Sequence, residues 1–268
     1  MDSDLFCSAM EFVAGSGSVL TSEQKAAMQT SFVILKKNYK FERVLFWGKI
    51  LGIKEDYFIV QGRGEDELKD RKNLYSFNCM DWFLLPPATE SMINEVSKTA
   101  KGHFTGDPSF VYEQVGSEST EAVSKVNEEK RLAVSVHQID EEVSVVPRGA
   151  FIRTPQGLVH INCSFSGLSE SEAKKLDNFL HFSEPKNLKK KSILELAGRN
   201  LARDFLDALS DDVPEGSWSL QLESGGQVCV IRSLLWPGLT FFHVPMTLQH
   251  GHVYIGPGIK NLSLPFQL

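Results

Sequence analysis

No apolar run in this sequence approaches the roughly 20 residues that a membrane-spanning helix requires. A basic targeting leader is missing too: MDSDLFCSAMEF opens acidic where secretory and mitochondrial signals are basic. Cysteine is scarce. Cys7, Cys79, Cys163 and Cys229 lie far apart with no CxxC spacing, which predicts reduced thiols in apolar settings and no disulfides. Nor is there excess basic charge. A formal net charge of −6 argues against a general binder of nucleic acid or anionic membrane, both of which call for basic surface. The expectation is a soluble chain in a reducing compartment, not secreted.

Chemical motifs are equally sparse. Gly62-Arg63-Gly64 and Gly256-Pro257-Gly258 continue into neither a dinucleotide fingerprint nor a GxxxxGK[ST] loop, so both are read as turns. No GxSxG elbow occurs. His250-Gly251-His252, with His243 nearby, is the best metal candidate, but no third ligand stands at zinc-motif spacing. These histidines are read as strand ends. Asp140-Glu141-Glu142 and Asp211-Asp212 are assigned to solvated surface and not to acid–base work. Lys186 to Lys191, four lysines in six residues, is read as a loop that could meet an acidic partner. No catalytic, cofactor-binding or metal-ligating residue is assigned, and no enzyme is expected.

What the sequence does contain is an ordinary globular balance, 42% hydrophobic and 23% charged over 268 residues, with strong element signals. Ser3 or Asp4 can cap a short helix through Phe12, stopped by Gly15-Ser16-Gly17. Thr21 with Gln24 forms a capping box whose helix places Ala27, Met28, Phe32 and Leu35 on one side. Further helices are predicted over 89–101, from Leu132 to Val143, and after capping boxes at Ser169/Glu172 (170–181) and Ser192/Glu195 (193–209). Strands are predicted at Asn73–Phe83, on both sides of the turn Thr154-Pro155-Gln156-Gly157, and from Ser217 to Ile255. Clustered strands without βαβ alternation indicate an α+β fold with mostly antiparallel sheet and several short capped helices. Gln114 to Arg131, polar and rich in Glu and Ser, reads as an acidic loop or linker. It would separate a helix-plus-hairpin lobe (1–113) from a C-terminal α+β lobe (132–268), unless the two form one continuous domain.

One hairpin breaks the usual pattern. In RVLFWGKILGIKEDYFIVQG, Arg43 to Gly62, apolar residues occupy both parities: Leu45, Trp47, Leu51 and Ile53 on one, Val44, Phe46 and Ile50 on the other. Antiparallel sheet usually leaves one face wet, so something must cover the second face. Trp218 lies on a cleanly alternating strand and is assigned to the core. Trp47, Tyr57, Trp82 and Trp236 can pack in the core or face a partner, and they are the candidate partner-interface residues.

Those segments, together with NLYSFNCMDWFLLPPATESM, FTGDPSFVYE, GLSESEAKKLDNFLHFSEP, RSLLWPGLTFFHVP and HVYIGPGIKNLSLPF, resemble the radial spoke head proteins. The resemblance runs along essentially the whole chain, weakest over 114–131. It implies a non-enzymatic subunit of the radial spoke in the axoneme of motile cilia and flagella, part of the cytoskeleton. That role would be to help pass mechanical cues between the central pair and the dynein arms. It also implies other spoke head subunits as partners, proteins four and six foremost, with indirect or transient contact to central-pair projections, no cofactor, no nucleic acid and no membrane. A cytoplasmic adaptor binding peptides along exposed strand edges is the competing expectation.

Overall fold

The computed structural model describes residues 1–13, 20–113, 125–187, 200 and 202–267. Asp2, one residue before the predicted caps, accepts the amide N–H of Asp4 (3.1 Å) and starts a 3-10 turn that runs into helix α1, Phe6–Val13. The predicted stop at Gly15-Ser16-Gly17 lies outside the described residues. The Thr21 capping box forms as predicted: its hydroxyl accepts from the Gln24 amide (3.2 Å), and Gln24 Oε1 accepts from the Thr21 amide (3.0 Å). It opens helix α2, Ser22–Tyr39, which buries Met28, Ser31, Phe32 and Leu35.

Strands β1 (Arg43–Ile50) and β2 (Tyr57–Arg63) make the hairpin. The single strand expected over Asn73–Phe83 is two, β3 (Arg71–Ser76) and β4 (Phe83–Leu84), which pair antiparallel. Between them Asn78 Oδ1 accepts the amides of Met80 and Asp81, both at 2.9 Å, and this side-chain turn reverses the chain. Helix α3 (Glu90–Thr99), capped by Thr89, precedes β5 (Val111–Glu113), β6 (Lys125–Asn127) and helix α4 (Glu128–Val143). The acidic-loop expectation is therefore corrected over 125–131, which form β6 and the first turn of α4. Residues 114–124 lie outside the described set.

Short strands β7 (Val145–Pro147), β8 (Phe151–Arg153), β9 (Val159–Ile161) and β10 (Phe179–His181) follow, β8 and β9 flanking the predicted turn. The Ser169–Glu172 box makes its hydrogen bonds but no α-helix: a 3-10 turn at Leu176–Asn178 leads straight into β10, where pairing with β7 takes the backbone. The Ser192/Glu195 box lies outside the described residues. Residues 202–208, the described end of that predicted helix, are not helical. Strands β11 (Trp218–Glu223), β12 (Val228–Ser233), β13 (Leu239–His243) and β14 (His250–Gly256) complete the order.

Eight strands form one sheet in the order β11-β12-β13-β14-β1-β2-β3-β4. It is two four-stranded antiparallel meanders joined by one parallel seam, where Gly48–Ile50 pair with Tyr254–Gly256. Glycine is required at position 48. Its φ is +148°, and a Cβ there would sit 1.9 Å from the Tyr254 carbonyl oxygen. The sheet draws strands from both sides of residues 114–124.

Both faces of this sheet are covered by the chain itself. One face packs Val44, Phe46, Phe58, Val60, Leu74, Val230 and Phe242 under α1 and α2. The other packs Trp47, Ile50, Tyr57, Ile59, Tyr75, Ile231 and Tyr254 under α4. Parity alone puts Ile50 beside Phe46. A bulge between Phe46 and Gly48 shifts the register and moves it to the Trp47 face. Cys79 and Cys229 are buried as predicted, whereas Cys7 and Cys163 are exposed, and all four are free thiols. Cys7 falls on the outward side of α1, where Gln29 Nε2 lies 3.0 Å from its sulfur.

Candidate functional site

Three of the four interface candidates are interior. Trp47 is 1% exposed, Tyr57 0% and Trp236 3%. The covered second face explains why: the apolar surplus on both parities packs on α4, so these aromatics meet their own chain. Each also carries a polar tip that must find a partner when buried, and α4 supplies it. The Trp47 indole N–H donates to Asp140 (2.7 Å), the Trp236 indole to Glu142 (2.8 Å), the Tyr57 hydroxyl to Glu128 (2.8 Å) and the Tyr75 hydroxyl to Glu129 (3.1 Å). Trp218, placed in the core by its alternation, is buried and donates in the same way to Asp212 (2.7 Å). The assignment of Asp140 and Asp212 to solvated surface is corrected, because a carboxylate beside a buried indole N–H is held by it.

Glu128 is the centre of this bracing. Its carboxylate accepts from the hydroxyls of Tyr57 and Tyr112 and from the amides of Thr105, Gly106 and Asp107. Burial alone would raise its pKa, but those donors together hold it below the usual carboxylate range. Burial and Glu128 push the Tyr112 hydroxyl up to about 12. Arg131, one helical turn on, donates to the Tyr112 hydroxyl (2.7 Å) and to the carbonyls of His103 (3.2 Å) and Gly102 (2.5 Å). The loop 102–112 is thus bolted to the start of α4. Sequence reasoning missed Glu128 and Arg131. A faint signal existed: Glu128 lies four residues before Leu132, in phase with the apolar stripe.

The three histidines do not converge as ligands. His243 Nε2 accepts the Leu168 amide (3.1 Å) and its Nδ1 lies 3.0 Å from the Gln249 carbonyl, so both ring nitrogens are in use. Burial lowers the pKa of His250 to about 4 and holds that of His252 well below its usual value. Among the described residues no group of three or more His, Cys, Asp or Glu side chains is placed to hold a metal ion. Within the described part of Lys186–Lys191, the amides of Lys186 and Asn187 donate to Asp207 (2.6 and 2.8 Å). Residues 188–191, with the other three lysines, lie outside it.

Trp82 differs from the other indoles. It is half-buried against the α1/α2 side, and its indole nitrogen is buried without a hydrogen-bond partner. Beside it stand exposed Met80 (64%), Phe83 (51%) and Leu84 (48%), at β4, the last strand of the sheet. This is the apolar surface that the chain leaves uncovered at that edge.

The arrangement defines a class: a braced α+β scaffold whose buried polar groups are largely consumed in holding its own layers together. Residues 3–148 match the family model described as radial spokehead-like protein. Over the full length of both chains the sequence is 60% identical to "Radial spoke head protein 9 homolog" of Danio rerio, and 48% identical to the proteins of that name from Homo sapiens and Bos taurus. The chain belongs to the radial spokehead-like family. Membership carries a structural role in the radial spoke, association with other radial spoke components and a place in the ciliary and flagellar axoneme, a cytoskeletal structure.

Proposed function

We propose that the chain is a non-enzymatic subunit of the spoke head, helping transmit mechanical cues between the central pair and the dynein arms and so regulating ciliary and flagellar motility. Its direct partners in this reading are head proteins four and six, with indirect or transient contact to central-pair projections. The observation that carries the reading is the bracing by α4. Helix and sheet are tied by aromatic-to-carboxylate bonds at Glu128, Glu129, Asp140 and Glu142, spread along the helix. Layers tied at several points transmit displacement instead of absorbing it by sliding, because packed layers and buried hydrogen bonds resist shear. Of the four interface candidates, Trp82 is the one this reading keeps, with Met80, Phe83 and Leu84 around it.

The test is a motile cell lacking the native chain, complemented with wild type or with Phe83→Asp/Leu84→Asp. Wild type should restore retention in salt-washed axonemes, co-purification with head proteins four and six, and a normal waveform by high-speed video. The double variant should fold but lose co-purification. Recovery of the wild-type chain in the soluble extract, absent from axonemes, would support instead the adaptor reading, which the free edge of β4 favours.

A further inference from the structure

The outer face of α2 carries a feature that neither the fold nor the spoke reading uses. Val33 and Ile34 are 71% and 51% exposed, although β-branched residues are poor helix formers and these two add nothing to the core. Lys36 and Lys37 stand three and four residues after Val33, so they share its face of the helix, and exposed Lys40 follows in the left-handed cap. None of the three lysines has a salt-bridge partner among the described residues. Beside them lies an open groove of about 550 Å³ between α2 and the start of the chain, with Asp4 and Gln29 on its walls. In a chain of net charge −6 this is a local concentration of positive charge around an apolar ridge.

We propose that this face of α2 docks an acidic segment of another protein chain, with an apolar anchor on Val33 and Ile34 and carboxylates against Lys36, Lys37 and Lys40. Charge complementarity selects the occupant. An apolar segment alone would leave three ammonium groups facing nothing, and a basic one would be repelled. A second copy of this face is excluded by the same repulsion. The inference rests on the spoke reading for the place in which it is tested.

The experiment is zero-length carbodiimide coupling on native spoke heads, which joins lysine amines only to carboxylates in contact with them, followed by peptide mass spectrometry. Isopeptide bonds from Lys36, Lys37 or Lys40 to Asp or Glu of another chain are expected. Coupling confined to this chain's own Asp4, or none at all, overturns the proposal. Lys36→Glu/Lys37→Glu in the complementation assay should lower axonemal retention about tenfold, with the purified chain's Tm unchanged. Normal retention overturns it. The carbodiimide map on the wild-type protein stands even if the double variant misfolds. Pelleting of purified wild type, but not the variant, with phosphatidylserine vesicles would assign the face to a membrane and also overturn the proposal. If the chain is missing from axonemes, the spoke reading fails, while coupling on whichever complex holds the chain still decides this one.

Discussion

The two faces of the central sheet solve the same burial problem with different chemistry. Under α1 and α2 the interior is Phe, Met, Val and Leu: Phe6, Met10, Met28, Phe32, Phe46, Phe58 and Phe242 pack without needing a polar partner. Under α4, beside Phe104, Phe179 and Phe241, stand Trp47, Tyr57, Tyr75, Trp218, Trp236 and Tyr254, and each of these six brings an N–H or O–H inside. The dry face is held by area and close packing, which tolerate moderate shape change. The braced face is held by area plus paired donors and acceptors, where losing one partner strands another. The braced face should therefore be the less forgiving, residue for residue, of small chemical edits.

The sharpest test is Glu128→Ala, which strands two tyrosine hydroxyls and three backbone amides. A loss of about 3–5 kcal/mol or failure to fold is expected in urea denaturation, as for other broken buried charge networks. A loss under about 1 kcal/mol would erase the distinction between the faces. Next come the neighbours Phe46 and Trp47, which point to opposite faces of one strand. Met28→Ala, also on the dry face, should cost about 3 kcal/mol through its cavity, and Phe46→Leu much less. Trp47→Phe keeps a buried ring yet should still cost about 1–3 kcal/mol by leaving Asp140 short of a donor.

The third test uses pH. His250 has its folded pKa lowered to about 4 and His252 has it lowered well below 6.5, both chiefly by burial. The unfolded chain takes up these protons first as pH falls below about 6.5, so the contribution of these two histidines drops from there toward pH 4 and is full above about 6.5. Glu128, with a depressed pKa, adds stability above its unfolded value that is lost only at lower pH. Tm measured from pH 7.5 to 4 should fall, and His250→Gln/His252→Gln should flatten that slope. Phe46→Leu should leave the slope unchanged while lowering the whole curve. The smallest effect belongs to the surface: Arg232→Ala, which removes the pair with Glu223 at the far edge of the sheet, should shift stability by less than about 1 kcal/mol.

Local pattern makes much of the fold legible. The Thr21 box, the stripe Leu132-Val136-Ile139-Val143, the alternation of Ser217–Glu223 and the turn at Thr154–Gly157 each state their geometry within a few residues. The cover of the second sheet face cannot be read that way. It depends on bonds such as Trp47 to Asp140 and Trp236 to Glu142, 93 and 94 positions apart, and no periodicity encodes them. The same gap makes buried carboxylates look solvated, since Asp140-Glu141-Glu142 has the composition of a surface run. At Ser169 the capping chemistry holds and the helix is absent, because strand pairing to β7 claims the following backbone. The four aromatic candidates stand out for apolar settings without visible cover, and the structure supplies that cover for Trp47, Tyr57 and Trp236 from α4.

The parallel seam between β1 and β14 has a consequence in time. Each meander pairs strands close in sequence, so each can zip by local loop closure. Lys49 and Ile255, by contrast, meet across about 200 residues. Met1 and Asp2 can pair the Leu45–Phe46 end of that edge early, but during synthesis Gly48–Ile50 must wait unpaired until β14 has been made, in what becomes the middle of the finished sheet. The two halves should show early amide protection in pulse-labelling refolding experiments, with Gly48–Ile50 and Tyr254–Gly256 protected last. Until then the nascent chain exposes an unpaired central strand edge, the kind of surface that recruits chaperones or aggregates.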